Sequence, residues 1–285
     1  MKKNILSLCV ALGAVILVSC NNDTAQDTSN VVLQFNNTFK NTNIVLGAKD
    51  ATTATTNTSE AGQIHHFSEL KYVVSNIRLV AADGREVPYH TNDLDKGATV
   101  INQAKPQTLQ YVLENIPAGE YTQLRFGLGV KPELNTLDQE RFPKFYAEAG
   151  ANDTKMMWEW GTGYRFTKIE GFYDADNKEL SIHTGSTVEG TENDPSSYVP
   201  GVNAYRDIQL SLPQSLVVGE RTSRIVIQAD FDKLLSGKSH TIVLDGQNAT
   251  PDEHTALNME KFVDNLGGNG TTDVSGMFSV QSVEN

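Results

Sequence analysis

The sequence predicts an all-β protein: an antiparallel β-sandwich with long loops and one C-terminal helix. Three observations carry this. About ten short segments rich in β-branched and aromatic residues recur, separated by Gly, Asn, Asp and Pro turn signals. One late segment alone has helical spacing. Finally, the only cysteines of the 285 residues, Cys9 and Cys20, lie at the very start, so the body has no disulfide, zinc–thiolate site or cysteine nucleophile.

The chain opens Met1-Lys2-Lys3, continues with an apolar stretch from Ile5 to Val18, and reaches Leu17-Val18-Ser19-Cys20. A basic start, a short apolar core and a small residue describe an export signal, too short to be a membrane span. The last four residues resemble the bacterial lipoprotein processing box. That resemblance implies a signal peptide over residues 1–19, a lipidated Cys20 and attachment to the cell envelope as an outer-membrane lipoprotein. More than one acyl chain anchors stably where a single chain binds marginally. Loss of Lys2 and Lys3 leaves 21 basic against 35 acidic side chains, a charge of −14. Nucleic-acid binding needs a basic footprint and is disfavoured.

Residues 20–30, after Cys20 mostly Asn, Asp, Thr, Ser and Gln with little to bury, read as a flexible tether. The remainder, residues 31–285, is expected to be one domain. Val31 to Phe35 is the first strand. Lys49 to Glu60 is a Thr-rich loop. Ile64 to Val80 changes the parity of its apolar positions, which predicts a bulge or burial on both faces. Ala82-Asp83-Gly84-Arg85 is a hairpin turn. Asn115-Ile116-Pro117-Ala118-Gly119 is another turn, between strands ending near Leu113 and starting near Thr122. Lys131 to Lys155 looks too polar for core, with a helical piece around Leu137 to Tyr146.

Both tryptophans fall in the run Met156-Met157-Trp158-Glu159-Trp160-Gly161-Thr162-Gly163-Tyr164-Arg165-Phe166-Thr167-Lys168-Ile169-Glu170-Gly171-Phe172-Tyr173. After the glycines, Tyr164, Phe166, Lys168, Glu170 and Phe172 share one face of a strand, and Arg165, Thr167, Ile169, Gly171 and Tyr173 the other. Neither face is purely apolar, so structure is expected on both. Asp174-Ala175-Asp176-Asn177 is a tight turn; it begins like a calcium loop but lacks the glycine and distal glutamate. Thr184 to Asn203 is a second polar loop. Thr250-Pro251-Asp252-Glu253 reads as a capping box, followed by Met259, Phe262, Val263 and Leu266 on one helix face and Gly267-Gly268 as the stop.

No nucleophile elbow, zincin, P-loop or dinucleotide motif is present, and the chain is expected not to be an enzyme. Glu159 or Glu170 would serve a hydrolase only with a nucleophile or base partner, and no such pair is visible. The histidines are His65, His66, His90, His183, His240 and His254. Two or three converging imidazoles would suit copper or zinc. The bland alternative is a surface position or a satisfied core hydrogen bond for each.

Leu70 to Leu79, Ile116 to Tyr121, Phe126-Gly127-Leu128-Gly129-Val130, Met157 to Gly171, Ile182-His183-Thr184-Gly185, and His254 through Asn265 to Met277-Phe278 together resemble the MbnP-like family, named for the periplasmic copper-binding partner of methanobactin systems. The chain is most similar to its lipoprotein branch in Bacteroidetes-type bacteria. Trp158, Trp160, Gly163, Tyr164, Lys168, Glu170 and Gly171 carry the family motif. The resemblance implies an exported β-sandwich and, in some members, copper held by histidines beside a tryptophan oxidised to kynurenine by a di-haem cytochrome peroxidase-like partner. Those members carry histidine near the positions of Ser75 and Thr136 and the modified tryptophan after the Asp83-Gly84 hairpin. Here that stretch is Tyr89-His90-Thr91-Asn92, so the kynurenine site does not carry over. His183 and His254 match positions of the lipoprotein branch. They are the expected copper ligands, with His90 as a third and Met156 as a soft neighbour. The competing expectation is a surface interaction or adhesion module using Lys131–Lys155 and Thr184–Asn203.

Overall fold

In the computed structural model the described residues are 27–136, 138–150, 155–158, 163–191, 194–252, 255–269 and 276–285. Cys20, Trp160 and His254 therefore lie outside them. Two sheets pack face to face. The first is built on β1 (Thr28–Phe39), which starts three residues before the expected strand start at Val31. The short β2 (Thr42–Asn43) folds back on its end. In the second sheet β3 (Asn57–Thr58), inside the Thr-rich loop, pairs with the start of β4 (Ile64–Ala81). β5 (Glu86–Tyr89) returns across the Ala82–Arg85 hairpin. The single-turn α1 (Leu94–Gly97) leads into β6 (Thr99–Asn102), also on β4.

The Pro117-Ala118-Gly119 turn does not close a hairpin. β7 (Gln110–Pro117) pairs with β1, whereas β8 (Gly119–Leu128) pairs with β4, so the turn carries the chain from one sheet to the other. The Tyr121 hydroxyl donates to the Pro117 carbonyl at 2.7 Å and pins this crossing.

The Lys131–Lys155 segment departs from expectation. Its helical piece is α2 (Pro143–Phe145), continued by a π-turn over Tyr146–Gly150. The segment is not excluded from the core. Leu134, Phe142, Phe145 and Ala149 anchor it in a second apolar cluster on the outer face of the β4 sheet, with Val73, Val130, Met156, Tyr164 and Phe166. Four well-spaced apolar anchors suffice, because the polar residues between them stay at the rim.

β9 (Thr167–Tyr173) and β10 (Lys178–Thr184) form the expected hairpin, with Asp174 and Asn177 at positive φ in its turn. The Thr184–Asn203 loop carries the small pair β11 (Val188–Glu189) and β12 (Val199–Pro200). β13 (Arg206–Val218) pairs with β8. β14 (Ser223–Asp230) runs parallel to β1, the one parallel pairing among the described residues, and β15 (Phe278–Glu284) flanks it.

α3 spans Ala256–Gly267 and ends where Gly268 adopts φ +83°. Met259, Phe262, Val263 and Leu266 are all buried, as their spacing predicts. The helix does not start at Thr250 as expected. Ser181 N donates to the Ala249 carbonyl at 2.8 Å and His183 N to the Pro251 carbonyl at 3.1 Å. Residues 249–251 are thus tied by two hydrogen bonds to the free edge of β10, and the helix begins only after Thr255.

Tyr72 packs with Phe35 at 6.1 Å and Phe278 at 5.7 Å in the main core, and its hydroxyl donates to Asn37 Oδ1 at 2.9 Å. β4, with 18 residues, is long enough to hold two strands end to end on one edge: β9 along its first half and β8 along its second. They meet at Val73, which donates to the Phe166 carbonyl and accepts from Gly129 N, both at 2.9 Å. Gly129 sits at φ +98°, and a Cβ there would lie 2.3 Å from the Phe166 ring. The parity change in β4 is explained by register shifts at Phe67/Glu69 and Ser75/Arg78, the latter around Asn76 at φ +49°.

Candidate functional site

The first half of β4, β9 and β10 lie side by side. Their registers set Ser181 opposite Glu170 opposite Glu69, and His183 opposite Lys168 opposite Lys71. All six project from the face away from Leu70, Ile169 and Ile182, which enter the main core. Lys71 pairs with Glu69; Lys168 Nζ lies 2.8 Å from Glu69 Oε2 and 3.2 Å from Glu170 Oε1. Glu170 Oε1 is 3.1 Å from His183 Nε2, which also contacts Ser181 Oγ at 3.2 Å. Alternating charges thus run from Lys71 to Glu170, whose carboxylate meets the His183 ring. The two lysine side chains are only 7% and 9% exposed.

Aromatic structure borders the His183 end. The indole of Trp158 lies 6.1 Å from the imidazole, and the guanidinium of Arg165 sits 4.4 Å from the indole centre. The strand-like pairing of Met157 with Tyr164 places Trp158 here. Gly163, at φ +78°, leaves space for Asn135, whose Oδ1 accepts from Tyr164 N at 2.8 Å. Gly185 is flush against the indole; a Cβ would sit 2.7 Å from Trp158 Nε1. Tyr164 is fully buried in the second cluster, and Gly171 packs against the β4 backbone.

The hydrogen bond from His183 holds Glu170 well below the usual carboxylate range, to about 2; burial opposes this and Lys168 adds to it. A carboxyl group depressed from 4.5 stabilises the fold fully above that value and loses its contribution as pH falls toward 2. Stability of the native chain is expected to fall more steeply over this window than that of Glu170→Gln. Equal slopes in urea titrations at pH 4.5, 3.5 and 2.5 would contradict the pairing.

The other expected ligands are dispersed. His90 is exposed at φ +46° beyond β5, on the edge of β4 opposite β9, so it does not approach His183. Its carbonyl packs where a Gly97 Cβ would be, a turn-forming role. Met156 is fully buried in the second cluster, a core position and not a soft ligand at the surface. His254 falls outside the described residues, but the Pro251 carbonyl three positions earlier is bonded to His183 N. Ser75, at one family histidine position, donates to the Gly129 carbonyl at 2.6 Å, and Thr136, at the other, accepts from Asp138 N at 3.1 Å. Those side chains do not fit a copper centre of the kind the resemblance describes. Glu69, Lys71 and Ser181 were missed by sequence reasoning. Their one signal was charged residues at strand spacing in both Glu69-Leu70-Lys71 and Lys168-Ile169-Glu170.

A two-layer β-sandwich with a second apolar layer over one sheet and a charged ladder beside a buried tryptophan defines the class of fold. The MbnP family model matches residues 28–256. The chain belongs to the MbnP family. The structure of MbnP from Methylosinus trichosporium superposes with a TM-score of 0.56 at 17% identity, covering 89% of this chain and 98% of that one. No curated protein sequence matches.

Proposed function

We propose that this is a lipid-anchored, non-enzymatic cell-envelope binding protein of MbnP type that holds copper through His183 and His254. The observation that supports it is the Glu170–His183 pair. A metal-binding imidazole commonly gives one ring nitrogen to a carboxylate, which orients the ring and leaves the other nitrogen as ligand. Glu170 holds Nε2 at 3.1 Å, so Nδ1 is the ligand atom. The bond from His183 N to Pro251 supports His254 as the second donor, since few residues separate Pro251 from it. Two imidazoles make a low-coordinate Cu(I) site, and water completes one for Cu(II). Export and acylation at Cys20 tether the body to the outer membrane.

Titration of the purified chain with Cu(I) and Cu(II) tests this reading. Binding of one equivalent is expected, lost in the His183→Ala/His254→Ala double variant and weakened about tenfold by Glu170→Gln, the usual scale for losing a ligand's supporting carboxylate. Full retention in the double variant removes these ligands and leaves a metal-free interaction module as the reading.

A further inference from the structure

A second polar cluster lies inside the sandwich, away from the charged ladder. His65 on β4 is 2% exposed, and Asn57, its register partner on β3, is 1% exposed. Partners in register project to the same face. The His65 ring packs edge-on against Phe39 at 5.4 Å and Phe67 at 5.3 Å, so that face is the interior. Phe67 in turn meets Phe231 at 6.1 Å, and the next residue, Asp232, is 6% exposed and acts electrostatically on His65.

Five buried polar atoms here have no hydrogen-bond partner: both ring nitrogens of His65, Oδ1 and Nδ2 of Asn57, and Oδ1 of Asp232. The nearest approach to a bond is a weak contact of the ring with the Gln63 carbonyl. Asp232 Oδ2 is engaged by Lys233 at 3.6 Å. Buried polar groups in folded proteins are almost always satisfied, so such a concentration calls for a bound species.

We propose that His65, Asn57 and Asp232 form a buried site for one divalent cation of the zinc class. The donors are one imidazole nitrogen, one amide oxygen and one carboxylate oxygen, a set that borderline dications accept, with water completing the tetrahedron. Neither ring nitrogen of His65 is hydrogen-bonded within the protein, so one is available to bind and the other to take a water. Burial lowers the His65 pKa to about 4, so near neutral pH the cation displaces no proton from it. Among the described residues no three His, Cys, Asp or Glu side chains gather into a metal site. This cluster depends on asparagine for its third donor. It shares no residue with the His183 site and does not rest on the copper reading.

The test is zinc binding to the purified full chain after treatment with a chelator, read by calorimetry and by the melting temperature. In the His183→Ala/His254→Ala background, which removes the other proposed metal site and in which the variants below are made, one equivalent is expected to bind and raise the melting temperature. Asp232→Asn should weaken binding at least tenfold. His65→Phe, which keeps a ring between Phe39 and Phe67, should abolish it. If His65→Phe does not fold, Asp232→Asn decides. Absence of any zinc effect in that background would mean that the cluster holds only water and would overturn the proposal. Undiminished binding in Asp232→Asn would equally overturn it.

Discussion

Replacing Glu69 by leucine is expected to destabilise the protein by about 3–5 kcal/mol, the scale for breaking a buried ion pair by removing one partner. Among the described residues Glu69 is the carboxylate that contacts both Lys71 and Lys168, whose side chains are 7% and 9% exposed. Leucine would remove that shared partner and leave Lys168 its contact with Glu170, in a setting where desolvation of an ammonium is costly. Restoring neutrality with Lys71→Met in the same chain should recover much of the loss, because Lys168 and Glu170 remain as a pair and apolar replacement of a buried ion pair is often close to neutral. Denaturant unfolding of the single and double variants measures both effects. A single-variant cost below about 1 kcal/mol would mean that the ladder behaves as a solvated surface array.

Gly171→Ala is expected to cost about 3 kcal/mol, at the upper end of overpacking penalties. The added Cβ would sit 2.1 Å from the His66 carbonyl oxygen and 2.9 Å from Phe67 Cα. Both atoms belong to the β4 backbone at its first register shift, so neither can move without disturbing the ladder to β9. For a chain of this size the melting temperature should fall by about 6–12 °C. Gly219→Ala is the control: nothing lies within 4 Å of its Cβ position. Equal melting temperatures for the two variants would show that the β4–β9 contact is looser than described.

Much of the fold was legible along the chain. The hairpins at Ala82–Arg85 and Asp174–Asn177, the two-faced burial of β9 and the apolar stripe of α3 are local patterns that survive into the structure. The parity change in Ile64–Val80 announced the bulges of β4. Other readings failed where a distant partner outweighed the local signal. Thr250-Pro251-Asp252-Glu253 has the composition of a helix start, but the Ala249 and Pro251 carbonyls are bonded to the edge of β10 and the helix starts later. Lys131–Lys155 looked too polar for core because its apolar anchors are sparse, yet the outer face of the β4 sheet receives them.

The site divides in the same way. His183 and Glu170 were both singled out from the chain, one as a ligand and one as part of a motif, but only the register of β9 against β10 makes them a hydrogen-bonded pair. His90 shows the converse: no feature of its neighbourhood in the chain reveals that β4 separates it from β9.

The sequence by itself determined the strand content, the principal turns, the family and the export expectation, because each depends on residues close together in the chain. The tertiary structure decided the parallel β1–β14 pairing, the end-to-end seating of β8 and β9 on β4, and which charges meet. Those depend on pairing across long stretches of chain, where alternation determines which face a side chain takes but not which strand lies beside it.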